Sequence, residues 1–305
     1  MALTLDVDTQ DAITLDEYLD YLSREVDADD EDSILASARM LRALANNPHV
    51  IGDYLTEELR HWREFQPTNS YTAQTLMLAR QGRFAIRANI WEPPAASPEL
   101  REYQNALYYY QVPHDHNFSF LTVGYIGPGY ETIIYERDPD AVVGVPGEKV
   151  ALRFSERTTL PKGKVMYYRA SRDIHSQEHP EALSLSINLL VGQPAAQQKD
   201  QYFFDLGAGT VSEVASGGGA ASRLIPCRLA RYVGDDRTAA ALESIATDHP
   251  SARIRVTALE SLAALASDTA RQRWQRAEMD SHPLVRLRAR QALSELDGIR
   301  GERFT

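Results

Sequence analysis

The stretch His114-Asp115-His116-Asn117-Phe118-Ser119-Phe120-Leu121-Thr122-Val123-Gly124 decides how this chain is read. Its second half is apolar enough for a buried strand, and its first half sets two imidazoles at i and i+2. On an extended backbone such residues point to the same side. Two histidines held rigidly ahead of a strand make a candidate pair of metal ligands. His175, isolated on a later apolar segment, offers a third from a distant part of the chain. Three imidazoles converging from two strands would leave vacant positions on a mononuclear metal for a small molecule. His179, four residues further on and ahead of Pro180, is the rival for the third position. The other histidines, His49, His61, His249 and His282, fall in helical stretches and read as surface or capping residues.

Working outward, Arg83-Phe84-Ala85-Ile86-Arg87-Ala88-Asn89-Ile90-Trp91 follows Gly82, alternates with period two and stops at Pro93-Pro94, which predicts a strand. Short β-rich runs continue at 107–112, 118–124, 130–137, 149–154, 164–170, 183–190 and 201–205. Gly127-Pro128-Gly129 joins two of them as a tight connection. Many short strands without helices between them predict an all-β barrel or jelly roll. Before it, residues 14–80 read as helical: Thr14-Leu15-Asp16-Glu17 has capping-box spacing, and further helices are expected near 33–46 and 49–64. After it, Ser216-Gly217-Gly218-Gly219 reads as a flexible join.

The remainder, from about 223, is helical and repeats itself. His249-Pro250-Ser251-Ala252-Arg253-Ile254-Arg255-Val256 recurs 33 residues later as His282-Pro283-Leu284-Val285-Arg286-Leu287-Arg288-Ala289. Proline opening a helix that carries Ala, Val, Leu and Arg on a helical period suits a stacked helix pair, with 238–246 as a partner helix. The pattern resembles HEAT-type repeats. Two units are fewer than usually stand alone, so packing on the barrel, a second subunit or a protein partner is expected. The expected architecture is α+β: an N-terminal helical region over 1–81, a β-barrel carrying the metal site over 82–216, and HEAT-like helices over 223–300.

Composition narrows the function classes. The 305 residues include 43% hydrophobic and 25% charged residues, ordinary for a soluble globular chain. A formal net charge of −11 argues against a nucleic-acid partner, because phosphate binding needs clustered Lys and Arg. One cysteine, Cys227, excludes an internal disulfide and a thiolate-rich zinc site. The sequence has no apolar run of membrane-spanning length and no basic, then apolar, leader over residues 1–25. Cytoplasmic residence without membrane contact is the expectation.

The order of these motifs resembles the cupin superfamily, most closely its cysteine dioxygenase-like, thiol dioxygenase branch. The resemblance runs from Gly82-Arg83-Phe84 and Ile90-Trp91-Glu92 through His114-Asp115-His116 and Glu131-Thr132 to His175 and the Ser184-Leu185-Ser186 strand, roughly 110 residues. It implies a jelly-roll barrel with a three-histidine Fe(II) site that binds substrate and O2, with His114, His116 and His175 as ligands. Zinc, nickel or manganese would also suit three imidazoles. The departures are as informative. Phe120 and Leu121 stand where many cupins place a carboxylate ligand, and Ala73 stands near the position of the branch's substrate-clamping arginine. Ser186 and Asn188 replace the branch's outer histidine and tyrosine, and no cysteine lies near the first motif. Free cysteine is therefore not the expected substrate.

Other residues could complete the pocket. Tyr108, Tyr109, Tyr110, Tyr130, Tyr135, Tyr167 and Tyr168 crowd the predicted strands, where tyrosines mostly pack. Tyr130 and Tyr168 are the candidates for donating to substrate or oxygen. Glu131 reads equally as an outer-sphere carboxylate or a strand-edge charge. Arg87 and Arg169 are expected to face solvent, because a buried unpaired charge is costly; pointing inward, either would anchor an anion. The expected function is a non-haem iron oxygenase acting on a natural product, peptide or carrier-bound intermediate. A 2-oxoglutarate-dependent cupin, a zinc or nickel lyase or isomerase, and a non-catalytic metal- or ligand-binding cupin that mediates assembly through its helical ends, as a homodimer for example, are the alternatives.

Overall fold

The computed structural model of the chain describes residues 2–64, 66, 69, 74–194, 198–215 and 219–302. Ala73 and residues 216–218 of the glycine join lie outside them. The chain divides into two compact units, the first made of residues 1–139, 151–196 and 203–209, the second of 140–150, 197–202 and 210–305.

The first unit opens with β1 (Leu3–Leu5), then α1 (Leu15–Glu25), α2 (Glu31–Ala36), α3 (Ala38–Asn46) and α4 (Val50–Arg60). The capping box forms as the sequence predicts: Glu17 N–H donates to Thr14 Oγ1 at 3.2 Å, and Thr14 N–H donates to Glu17 Oε2 at 2.8 Å. Then come β2 (Thr75–Gln81), β3 (Phe84–Trp91), α5 (Pro98–Tyr108), β4 (Ser119–Ile126), β5 (Glu131–Glu136), β6 (Arg153–Thr159), β7 (Val165–Tyr168), β8 (Asp173–Gln177) and β9 (Ser184–Val191). They form two antiparallel sheets, ordered β1-β7-β4-β9-β3-β2 and β6-β5-β8.

Strand alternation gives the larger sheet two different faces. Phe84, Ile86, Leu121, Val123, Ile187 and Leu189 pack with Tyr18, Leu22, Ile34, Leu41 and Leu44 of the helices. The opposite face sends Trp91, Phe120, Met166, Tyr168 and Leu190 against Ile134 of the smaller sheet and Tyr130 just before β5. The interior between the sheets is where the candidate site lies.

Three expectations are corrected. Residues 107–112 are not a strand: α5 runs to Tyr108, capped by Ser97 Oγ on Leu100 N–H at 3.2 Å and started by Pro98. Tyr109 ends it at a φ of 56°, and Tyr110 touches the smaller sheet through one bridge to Gln177. Residues 75–81, expected as helix, form β2, because the run Thr75-Leu76-Met77-Leu78 is buried on both sides, against β3 and the helices. The run expected at 149–154 lies later, at 153–159, as a largely exposed edge strand.

The second unit is mainly helical: α6 (Gly219–Val233), α7 (Asp236–Asp248), α8 (Ala252–Leu265), α9 (Ala270–Ala277) and α10 (Pro283–Glu302). Its core gathers Leu242, Ile254, Ala258, Leu262, Trp274, Val285 and Ala289. The sequence repeat has a physical counterpart. His249 Nδ1 accepts from Ser251 N–H at 3.1 Å, and His282 Nδ1 accepts from Leu284 N–H at 3.2 Å, each at the start of a helix. Among the described residues, no helix is long and apolar enough to cross a membrane.

Candidate metal centre

The site begins with a backbone pair. His114 N–H donates to His175 O at 3.0 Å and His175 N–H donates to His114 O at 2.9 Å, a reciprocal antiparallel bridge onto β8. Residues so paired carry their side chains to the same side of the sheet. His116, two residues on, follows by alternation, and its carbonyl accepts from Ser171 N–H at 2.6 Å. Adjacent positions on two chain segments thus suffice to bring the three rings together.

The ligand-capable atoms of His114, His116 and His175 lie within 4.8 Å of one another. His175 Nε2 is 3.2 Å from His114 Nε2 and 3.1 Å from His116 Nε2. Bonds of about 2.1 Å at near-right angles put neighbouring donors about 3 Å apart, so this spacing fits one small divalent cation. The second nitrogens of His114 and His175 are occupied. His114 Nδ1 donates to Val112 O at 2.8 Å, leaving Nε2 as the lone-pair nitrogen. The Gln177 amide lies 2.9 Å from His175 Nδ1; a half-turn of that amide offers oxygen to an Nδ1–H, the state a ligating Nε2 requires.

Electrostatics favour neutral imidazoles. Burial pushes His114 down to about 4, with the Arg87 charge adding to the effect. Burial, then the charges of His114 and Arg87, hold His175 well below its ordinary value. Neutral imidazole is the form that ligates a metal. An aromatic wall covers the rings: Phe118 stacks on His116 at 4.7 Å, Phe120 approaches it at 5.3 Å, and Tyr168 lies 4.9 Å from His175. Between the histidines, Asp115 turns away and receives Arg137 Nε at 2.9 Å and Nη2 at 2.7 Å, with side-chain exposures of 0% and 2%. The sequence gives one hint of this brace, an acid between two ligands, and none of its partner.

The other sequence candidates scatter. Tyr130 is buried and stacks on Trp91 at 4.0 Å, and burial raises its hydroxyl and that of Tyr168 well above the ordinary value. Ser186 accepts from Trp91 Nε1–H at 3.0 Å. Asn188 is buried across β3 from Arg87. Arg87 departs from the expected solvent-facing placement: it is 8% exposed and on the interior face, because Ile86 and Ala88 take the helix-facing side. Arg169 is partly buried in ion pairs with Asp173 at 2.5 Å and Glu136 at 2.7 Å, with no role in the cluster. Glu131 pairs at 2.8 Å with the exposed Arg157, a strand-edge charge. His179 engages Asn105 Oδ1 at 2.6 Å and is outside the cluster.

No protein-family model matches the chain, and no curated protein does. Solved structures give partial likenesses. A hydroquinone 1,2-dioxygenase from Sphingomonas sp. TTNP3 with 4-hydroxybenzoate bound shares 9% identity over 42% of this chain and 71% of its own, at a TM-score of 0.27. A DMSP lyase from Ruegeria pomeroyi DSS-3 shares 10% identity over 42% of this chain and 51% of its own, at a TM-score of 0.26. A hydroquinone 1,2-dioxygenase in complex with Cd2+ and 4-hydroxybenzonitrile shares 11% identity over 44% and 76%, again at 0.26. The chain spans about half the length of the DMSP lyase structures it matches, 46% and 51%.

Proposed function

We propose that the chain is a mononuclear non-haem metal oxygenase of cupin type, with His114, His116 and His175 as ligands to Fe(II). The observation that carries this reading is the convergence of three Nε2 atoms, those of the buried His114 and His175 and the half-buried His116, with two contacts of 3.1 and 3.2 Å and no carboxylate in the cluster among the described residues. A divalent metal held there would supply Lewis-acid and redox chemistry at its open positions.

The chain's own residues prepare that chemistry. Val112 and Gln177 fix the rings of His114 and His175 through their Nδ1 atoms. Phe118, Phe120 and Tyr168 exclude water from the cluster's apolar side. Tyr130 and Tyr168, their hydroxyls raised by burial, stay protonated donors through the neutral range. The sheets correspond on this reading to a jelly roll, and the helices of the second unit to HEAT-like repeats that could dock a protein partner.

Anaerobic reconstitution of the full chain with Fe(II) is expected to bind one metal per chain, lost in His114→Ala. O2 uptake would then be screened over small acids, phenols and thiols, with and without 2-oxoglutarate. A chain that retains no divalent metal overturns the reading; uptake stimulated by 2-oxoglutarate replaces it with the 2-oxoglutarate-dependent one.

A further inference from the structure

The outer face of α6 is apolar where a surface helix is ordinarily polar. Ile225, Leu229, Tyr232 and Val233 recur at i, i+4, i+7 and i+8, which puts them on one side of the helix. All four face solvent, from 54% exposed at Leu229 to 77% at Tyr232. The opposite side carries Cys227 and Ala230 into the helical core, where the Cys227 carbonyl accepts from Ser261 Oγ at 2.7 Å. α6 is thus apolar on both sides, the pattern of a helix that is covered on both. Among the described residues, the second unit exposes one other large apolar side chain, Met279. Its exposed apolar surface is gathered into a stripe, as at interaction sites.

The stripe has a charged edge. Arg228 and Arg231, three residues apart, lie side by side along it, both exposed. The helix has no acidic residue. Arginines elsewhere in the unit are paired: Arg253, Arg255, Arg271, Arg273 and Arg288 each meet a carboxylate at 2.5–2.7 Å. Arg228 and Arg231 meet none among the described residues, and the Arg231 guanidinium lies over the Tyr232 ring at 5.6 Å. Asp235, just past the helix, is engaged by Arg237 and by the Thr238 N–H. Exposed tyrosine and arginine are the residue types that anchor protein interfaces, and unpaired positive charge selects an acidic partner. A second copy docking by twofold symmetry would lay α6 on α6 and set these arginines against their own kind. An anionic lipid surface would attract the arginines but repel a chain of net charge −11.

We propose that the outer face of α6 docks an amphipathic helix of a partner protein. The partner's apolar residues lie on the stripe, and its acidic residues meet Arg228 and Arg231 along the edge. Carboxylates match the planar guanidinium fork, and a helical partner matches anchors spaced by turns. This docking deepens the partner-binding reading of the second unit and needs no metal at the histidines.

Fluorescence anisotropy on the full chain tests it, after chelator treatment and again after metal loading, with the same result expected in both. The probe is a labelled amphipathic model peptide with leucines at helical spacing and glutamates along both edges; a control peptide carries lysines in place of the glutamates. The chain's overall negative charge by itself favours the lysine peptide. The glutamate peptide is nonetheless expected to bind with a Kd of about 1 μM to 100 μM, about tenfold or more tighter than the control, and to weaken at high salt. Reversing both charges, Arg228→Glu with Arg231→Glu, should invert that preference. Leu229→Ser and Tyr232→Ser should each weaken binding about tenfold, with thermal unfolding unchanged because these side chains face solvent. No binding of the glutamate peptide, equal binding of the two peptides, or a preference untouched by the double charge reversal would each overturn the proposal. Phosphatidylglycerol vesicles that bind the parent but not Leu229→Ser would overturn it in favour of a lipid contact. A dimer in sedimentation that is lost in Leu229→Ser would overturn it in favour of an interface between copies.

Discussion

Asp115 sits between two proposed ligands and contributes nothing to the cluster directly; its value is the buried pair with Arg137, 2.7 Å apart and almost wholly excluded from water. Removing one charge from such a pair leaves the other stranded, at a cost of about 3–5 kcal/mol. Asp115→Asn is therefore expected to destabilise the chain by that order in urea unfolding. The double variant Asp115→Asn with Arg137→Met should recover most of the loss, and a double variant no better than the single one rules the pair out as the cause. Gln177→Leu is a quieter test: the fold should hold, while divalent-metal affinity by calorimetry drops about 10–100-fold through the freed His175 ring. Unchanged affinity would deny Gln177 an orienting role. The three histidines were legible in the sequence because spacing alone puts His114 and His116 on one side. Arg87 and Asn188 were not legible as an inward pair. Their strands are covered on both faces, so alternation, present in 83–91, no longer tells inside from outside: the polar positions Arg87 and Asn89 are buried too. Arg169, which read as Arg87's equal, is consumed by Asp173 and Glu136.

At the scale of elements, the connection between β4 and β5 ties the larger sheet to the smaller one. Gly129 holds a φ of +84°, and a Cβ there would meet Leu160 O at 2.0 Å and the Pro161 nitrogen at 2.8 Å, both backbone atoms that cannot step aside. Gly129→Ala is expected to cost roughly 1–3 kcal/mol or more from the backbone conformation and the clash together. A variant that melts within a degree of the parent would show that the turn relaxes freely. This turn was readable because Gly-Pro-Gly between two apolar runs has few alternatives. The strands at 84–91, 119–126, 131–136 and 184–191 were readable for the same reason, being bracketed by turn residues. α5 was misread where Tyr108, Tyr109 and Tyr110 outweighed the Ser97-Pro98 start signal that in fact governs the segment. β8 departs from the apolar segment expected around His175: Asp173, His175, Ser176 and Gln177 are polar residues, buried with Asp173 in an ion pair and His175 in the cluster.

At the scale of the whole molecule, the two units carry separate levers on stability. The first holds the histidine cluster, so a divalent metal should stabilise it by about 2.7 kcal/mol at a hundredfold excess over Kd. Trp91, buried on the interior face, reports that unit, and Trp274, buried in the helical core, reports the second. The second unit's lever is acid. Burial would raise the Asp280 carboxyl, but the Arg255 guanidinium and the His282 backbone N–H outweigh it and hold the group below its ordinary value. Arg255 reaches both its oxygens, at 2.7 and 3.0 Å. With the folded value below the unfolded one, near 3.9, the unfolded chain takes up the proton first as the pH falls. The stability Asp280 contributes is thus complete above the unfolded value and is lost as the pH falls through the folded one. Asp280→Asn should lower the Trp274 unfolding midpoint at pH 7 by the equivalent of about 1.5–3 kcal/mol. It should also flatten that transition's loss of stability below pH 4, while metal addition moves the Trp91 transition of parent and variant alike. An acid limb identical in parent and Asp280→Asn would assign the sensitivity to some other group.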